Sequence, residues 1–151
     1  TYDFYDFKTS PLNGAGAKNK NLALFPRKIN GKFAMLSRID GWNNYLMYSD
    51  HINIWENPIK IQSPEYPWEL VQIGNCGSPI ETKEGWLIIT HAVGPMRHYC
   101  ISASLLDIDI ITISISPQSS EHRSIKSRCA STSKTCIFLR SLRESCPWTD
   151  C

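Results

Sequence analysis

Short apolar runs alternate with turns along residues 22–109 of this 151-residue chain. The pair Asn30-Gly31 lies between two such runs and is a strong signal for a β-hairpin. Predicted strands cover residues 22–29, 33–37, 45–48 and 52–55 and, after a proline-rich loop, residues 71–73, 86–93 and 99–106. Helical periodicity is weak throughout, so the pattern predicts an all-β core.

The two halves of this region repeat one another in position. Gly31 and Gly85 are 54 positions apart, and so are Tyr45 and Tyr99, each of which begins an apolar run. A repeat of about 50 residues has the size of one four-stranded propeller blade. The sequence therefore predicts a partial β-propeller of about two four-stranded blades.

Net charge and cysteine spacing argue against several classes of protein. The formal net charge of +2 is too small to indicate binding to nucleic acid or to an anionic membrane. No apolar run approaches the roughly 18 residues of a membrane span, and no export signal is visible. The cysteine spacing fits no zinc site, so we expect no metal and a cytoplasmic chain with reduced thiols.

Basic and titratable side chains fall near predicted strand ends, at Lys28, Arg38, His91 and Arg97. Arg38 and His91 occupy nearly equivalent places in the two repeats, and propeller blades direct corresponding strand ends toward one axis. We therefore expect these groups to converge on one pocket, and a site rich in cations suits an oxyanion such as phosphate. The alternative is that the cations are solvated loop-end charges and that His91 is a satisfied core histidine.

Two loops are further candidates for ligand contact. In residues 74–77, glycines flank Asn75, which permits close approach of a ligand or forms a bulge. Trp42 lies in a polar loop and could stack on a sugar ring, whereas most other aromatic residues fit a blade core. No pair of carboxylates stands in an evident catalytic setting for glycoside hydrolysis.

Four ordered motifs resemble glycoside hydrolase family 130, which comprises mannoside phosphorylases and related β-mannosidases. The motifs are LFPRKINGK (24–32), IGNCGSPIET (73–82), EGWLIITH (84–91) and SLLDID (104–109). The resemblance covers about residues 6–109. It implies a five-bladed β-propeller and inverting transfer of a mannosyl group from a β-mannoside oligosaccharide to phosphate, or its hydrolysis. Inorganic phosphate is then a co-substrate, and no other cofactor is implied.

The resemblance also implies roles for individual side chains. Lys28 and His91 look like residues of the phosphate or substrate pocket, and Arg38 fits the basic residue that ends the following strand. Arg97 and Tyr99 are further candidates for the same pocket.

The chain departs from the family pattern in two respects. The Asp-Pro-Arg segment that carries the family's catalytic aspartate is absent, so we assign no catalytic residue and expect an inactive fragment. Beyond residue 109 the chain has no glycine and much serine, cysteine and arginine. We therefore predict a propeller-like domain over residues 1–109 and an unrelated tail over residues 110–151, of the kind that a reading-frame shift or a truncation produces.

Within that tail, residues 110–115 could form one more strand, and residues 119–135 are predicted to be polar and poorly ordered. Two blades would also leave sheet edges open, so we expect self-association through those edges. The alternative function is a non-enzymatic sugar-binding or interaction module that uses Trp42 and the loop around Asn75.

Overall fold

The computed structural model describes residues 1–106 and the backbone of residues 128–132 and 135–141. The strands are β1 (Ala23–Leu24), β2 (Phe33–Ser37), β3 (Asn44–Ser49), β4 (Ile59–Gln62), β5 (Gln72–Asn75), β6 (Ile80–Thr82), β7 (Gly85–Val93), β8 (Tyr99–Leu106), β9 (Arg128–Thr132) and β10 (Thr135–Ser141). Short 3₁₀ turns occur at Ala15–Ala17, Pro67–Glu69 and Pro95–Arg97. The described residues contain no α-helix, which confirms the all-β prediction, and none of their helical turns is long and apolar enough to cross a membrane.

The strands form two sheets that follow the predicted repeat. The first sheet has the antiparallel order β1-β2-β3-β4. The second has the order β5-β7-β8-β10-β9, with β6 also paired to β7, so it carries β9 and β10 in addition to the predicted blade. The turns Asn30-Gly31 and Glu84-Gly85 precede β2 and β7, and the strand pairs β2–β3 and β7–β8 correspond. The architecture is a partial β-propeller.

The prediction of a strand over residues 52–55 is wrong, and β4 (Ile59–Gln62) takes its place. The alternating pattern instead belongs to a tight turn in which the indole of Trp55 is fully buried and donates to the Ile52 carbonyl at 2.8 Å. The Trp55 backbone N–H donates to Asn13 at 2.8 Å, so this segment pairs with the N-terminal loop. Pro58 then precedes an edge strand, where a proline is tolerated.

Other strand boundaries also differ from the sequence pattern. A strand was predicted over residues 22–29, but only β1 forms there, because Pro26 cannot donate a ladder hydrogen bond. β6 was not predicted, since its three residues are too few for a periodic signal. The prediction of a poorly ordered segment over residues 119–135 is wrong for β9, which pairs antiparallel with β10, while β10 joins the free edge of β8 in parallel. Residues 110–115 lie outside the described residues.

Two apolar clusters pack against the two faces of the first sheet. The larger lies between the two sheets and comprises Ala23, Phe25, Ile29, Ala34, Leu36, Leu46, Trp86, Ile88 and Leu106. Phe25 and Trp86 meet edge to face at its centre, with ring centroids 5.0 Å apart. The smaller cluster covers the opposite face of the first sheet with Met35, Met47 and Trp55. Apolar burial thus fixes the two sheets face to face and brings the ends of β2, β5 and β7 together.

Candidate functional site

Arg38 follows the last residue of β2 and is only 2% exposed. Its Nε and Nη1 atoms have no hydrogen-bond partner among the described residues. Burial lowers the pKa of the Arg38 guanidinium, while the nearby charges of Asp40 and Tyr99 act in the opposite direction. Because an arginine remains charged at any physiological pH, the fold keeps a buried cation with two unused donors.

Asp40 is close to Arg38 and yet does not neutralise it through a hydrogen bond. Its Oδ1 accepts the backbone N–H groups of Trp42 and Asn43 at 2.8 and 2.9 Å. Its Oδ2 accepts the Tyr45 hydroxyl at 2.8 Å and the Asn43 side-chain amide. Burial alone would raise the pKa of Asp40, but these donors bring it down to about 2. The carboxylate is occupied by its own loop, which leaves Arg38 available for an anion.

Gly74 is the point at which Arg38 and His91 meet. Gly74 on β5 pairs with His91 on β7. A Cβ atom on Gly74 would lie 2.7 Å from His91 Cε1 and 2.9 Å from Arg38 Nη1, closer than real Cβ contacts come. The missing side chain of Gly74 therefore makes room for a guanidinium and an imidazole on the same patch of backbone.

His91 is held in an environment that disfavours its charged form. Burial is the main cause that lowers the pKa of His91, and the positive charges of Arg38 and Lys20 lower it further. Cys76 Sγ lies 3.7 Å from His91 Nδ1, and the Tyr99 ring stacks at 6.3 Å between centroids. An anion bound here would oppose the two cations and favour the imidazolium.

Asn21 and Asn75 tie the wall of this pocket together. Asn21 Nδ2 donates to the Asn75 carbonyl at 2.7 Å, and Asn75 Nδ2 donates to the Asn21 carbonyl at 2.8 Å. Asn75 is buried, so its amide contributes by fixing the end of β5 against the segment before β1. The pocket thus has polar walls, a buried guanidinium with two donors unused by the described residues, and a histidine whose pKa is lowered.

The match to known proteins covers this pocket. A family model described as "beta-1,4-mannooligosaccharide phosphorylase", of glycoside hydrolase family 130, matches residues 1–118. The chain belongs to glycoside hydrolase family 130. A 1,2-beta-oligomannan phosphorylase of Thermoanaerobacter sp. (strain X514) is 40% identical over 94 residues, which are 60% of this chain and 31% of that protein. A beta-1,4-mannooligosaccharide phosphorylase of Ruminococcus albus is 36% identical over 116 residues, or 70% of this chain and 35% of that protein.

A solved structure of a protein with the same kind of name also matches this chain. The beta-1,2-mannobiose phosphorylase of Listeria innocua, in complex with beta-1,2-mannobiose, matches with a TM-score of 0.54 and 27% identity over 60% of this chain and 27% of that one. The family 130 chain spans about a third of the length of the curated relatives it matches.

The structure brings together some of the residues predicted for the family 130 pocket and separates others. Arg38 and His91 both lie beside Gly74, and the Tyr99 ring stacks on His91, while their roles in ligand binding stay predictions. Lys28 lies apart from these residues, with its Nζ 4.3 Å from the centroid of the Phe33 ring, and its role in phosphate or substrate binding stays a prediction. Phe33 begins β2 whereas Arg38 follows its end, and antiparallel pairing of β1 with β2 places Lys28 beside the beginning.

Arg97 lies in the exposed 3₁₀ turn between β7 and β8, in the left-handed backbone region at φ 58°. Its role in the pocket stays a prediction.

Sequence reasoning missed Lys20, Asn21 and Cys76 as neighbours of the pocket. The 54-residue offset was the available signal for one of them, since Asn21 and Asn75 occupy equivalent repeat positions and bond to each other. Cys76 lies in the glycine-flanked loop over residues 74–77, whereas nothing in the local sequence marks Lys20. Across residues 1–106, no group of three or more His, Cys, Asp or Glu side chains could hold a metal ion.

Proposed function

We propose that this chain forms part of the phosphate- and mannoside-binding region of a β-mannoside phosphorylase of family 130. The observation that carries the proposal is the buried Arg38, which lies beside His91 and whose Nε and Nη1 atoms have no partner within the described part of the chain. A buried cation is costly unless an anion pairs with it, and none of the described side chains supplies that anion, which supports a ligand in this role. The relatives named as mannoside phosphorylases support phosphate as that anion.

The geometry supports phosphate over a neutral ligand for a chemical reason. A guanidinium presents N–H groups in a fixed fork that matches two phosphate oxygens. A histidine beside the anion can donate one more hydrogen bond, more strongly once it is protonated. In phosphorolysis the phosphate oxygen attacks the anomeric carbon directly, so the pocket needs cations rather than a carboxylate base to activate water.

The proposal gives this chain binding but not turnover. No described residue is assigned as the acid that protonates the glycosidic oxygen, and the one carboxylate next to Arg38 is occupied by hydrogen bonds from its own loop. Incubation with β-1,4-mannobiose and phosphate should therefore yield no mannose 1-phosphate. Release of mannose 1-phosphate by the purified chain would contradict this part of the proposal.

The binding part is tested by adding inorganic phosphate to the full chain and following its thermal unfolding. Phosphate should raise the unfolding midpoint, because a ligand that binds only the folded state stabilises it by mass action. Chloride at the same ionic strength is the reference, since general screening would act equally in both. Equal midpoints in phosphate and chloride would reject an anion site at Arg38.

Two finer statements belong to the same proposal. We place the protein in the cytoplasm, which agrees with the free thiol of Cys76 beside the pocket. Self-association would use the edge strand β4, which has a partner on one side only in the described sheet. The tail over residues 110–151 is proposed to be unrelated to the family in most of its sequence, although the family model reaches residue 118 and β10 pairs with β8.

A further inference from the structure

Cys76 carries an exposed thiol that the pairing of β5 with β7 places beside His91. Cys76 follows the last residue of β5, and its backbone N–H donates to the Ile89 carbonyl at 2.8 Å, so it continues the pairing with β7. Gly74, two positions earlier, pairs with His91. Because positions two apart lie on one face of a strand, Cys76 and His91 are diagonal neighbours on the same face. Cys76 Sγ lies 3.7 Å from His91 Nδ1.

The buried guanidinium of Arg38 reaches the same face of β5. Arg38 Nη1 lies 2.9 Å from the position that a Cβ atom on Gly74 would take. Neither this atom nor Arg38 Nε has a hydrogen-bond partner among the described residues. Binding of phosphate makes no use of the Cys76 thiol, which is the exposed member of this cluster. A sulfur nucleophile beside a guanidinium with unused donors offers one ligand two attachments, a covalent bond and an ion pair.

The surroundings of Cys76 supply what a thiol needs to react as a nucleophile. Burial raises the pKa of the Cys76 thiol, so the thiol stays protonated at neutral pH unless a base takes its proton. His91 Nδ1 can accept that proton when the ring carries its own proton on Nε2, and the ring is neutral because burial lowers the pKa of His91. The positive charges of Arg38 and Lys20 act on the same pocket, and nearby cations stabilise a thiolate.

We propose that Cys76 is a site of reversible modification by small disulfides that carry carboxylate groups, such as glutathione disulfide. The Cys76 thiolate attacks one sulfur of the reagent, the S–S bond of the reagent breaks, and a new S–S bond joins Cys76 to that half. The other half leaves as a thiolate and takes up the proton that His91 Nδ1 accepted from Cys76. A carboxylate of the attached half pairs with the Arg38 guanidinium, and exchange with a free thiol restores Cys76.

The experiment compares two disulfides of different charge on the full, reduced chain, the dianion dithiobis(nitrobenzoate) and neutral dithiodipyridine, and then tests glutathione disulfide. Cys100 is the reference thiol, because it pairs with Ala92 and therefore lies on the opposite face of the same sheet from His91. Trypsin separates the two thiols into peptides over residues 61–83 and 98–123, each with one cysteine. Mass spectrometry of these peptides in quenched samples gives the rate at each site.

The ratio of the dianion rate to the neutral rate should be about tenfold higher at Cys76 than at Cys100, because only the dianion pairs with a guanidinium. Glutathione disulfide should also modify Cys76 faster than Cys100. Arg38→Met should abolish the charge preference at Cys76, and His91→Gln should slow both reagents there, since it removes the proton acceptor. Arg27→Met lowers the net charge equally and is the matched control, which should leave both rates unchanged.

Equal charge preference at Cys76 and Cys100 in the unmodified chain would overturn the proposal without recourse to any variant. A loss of preference in Arg27→Met as large as in Arg38→Met would also overturn it, because net charge would then explain the rates. Phosphate should slow modification of Cys76 if both ligands use Arg38. Arg38-dependent modification without any protection by phosphate would uphold the modification site and reject the proposed phosphate pocket, so the two can fail separately.

Discussion

Both ends of the sheet pair carry cations, but the cations have opposite surroundings at the two ends. At the end that holds Arg38, a buried guanidinium has two donors that no described residue pairs, and a histidine lies beside it. At the end that holds Arg27 and Lys28, each cation already has a partner inside the chain. The comparison teaches that burial and pairing, rather than the presence of positive charge, separate the candidate site at Arg38 from an ordinary surface.

At the end that holds Arg27 and Lys28, surface cations have partners within the chain. Arg27 Nε lies 3.0 Å from both carboxylate oxygens of Glu81, and its guanidinium also lies 5.1 Å from the centroid of the Trp86 ring. Lys32 bonds to Asp50 at 2.8 Å, and the pKa of Asp50 is lowered mainly by that contact. Such exposed pairs contribute little to stability and offer no free charge to a ligand.

The largest expected effect comes from Arg38→Met, which replaces the buried cation with an apolar side chain of similar length. In chloride the variant should be as stable as the unmodified chain or more stable, because an unpaired buried charge is removed. Its phosphate affinity should fall about 100-fold, or about 2.7 kcal/mol, since charge-assisted hydrogen bonds are lost. Thermal unfolding with and without phosphate measures both quantities.

Arg27→Met is the control for this change, as it removes an arginine from the paired end. Its unfolding midpoint should respond to phosphate as that of the unmodified chain does. If both arginine variants lost the response equally, phosphate would be acting through overall charge, and the distinction between the two ends would fail.

A smaller effect is expected from Gly74→Ala, which alters the pocket without changing charge. The added methyl group would lie 2.7 Å from His91 Cε1 and 2.9 Å from Arg38 Nη1, so one of the two side chains must move. We expect phosphate affinity to fall about tenfold, measured by calorimetric titration.

The control for Gly74→Ala is Gly31→Ala, in the turn before β2. Gly31 has a φ of 80° but open space around its Cβ position. This variant should lose about 1 kcal/mol of folding free energy through backbone strain and keep its phosphate affinity. Unchanged phosphate affinity in Gly74→Ala would show that Arg38 and His91 do not bind the anion jointly.

The smallest expected effect is a change in the titration of His91. Burial, Arg38 and Lys20 hold the pKa of His91 below the ordinary 6.5. Bound phosphate should raise this pKa, because a nearby anion favours the imidazolium. Titration of the His91 ring resonances by NMR, in chloride and in phosphate, measures the shift, and identical curves would contradict an anion at His91.

The direction of the pH effect on folding stability follows from the lowered pKa of His91. The unfolded chain, with the higher pKa, takes up the proton first as pH falls below 6.5. The folded state should therefore lose stability as pH falls through that range, and phosphate should reduce the loss by raising the folded-state pKa.

The sequence alone determined the all-β class, the 54-residue repeat and the candidate pair Arg38 and His91. These features are local, because strand alternation and the Asn-Gly turn depend on residues close together in the chain. The match between repeats then predicted that equivalent strand ends meet, which was correct for this pair.

Only the tertiary structure decided which neighbours those residues have. Lys28 is separated from Arg38 because β1 and β2 pair in antiparallel fashion. The predicted strand over residues 52–55 is replaced by β4 because Trp55 is buried against the N-terminal loop. Whether a cation has a partner is likewise a long-range property: Arg27 finds Glu81 across 54 residues, while Arg38 is buried where its nearest carboxylate is already used. Pairing and burial depend on contacts between distant segments, and no local pattern contains them.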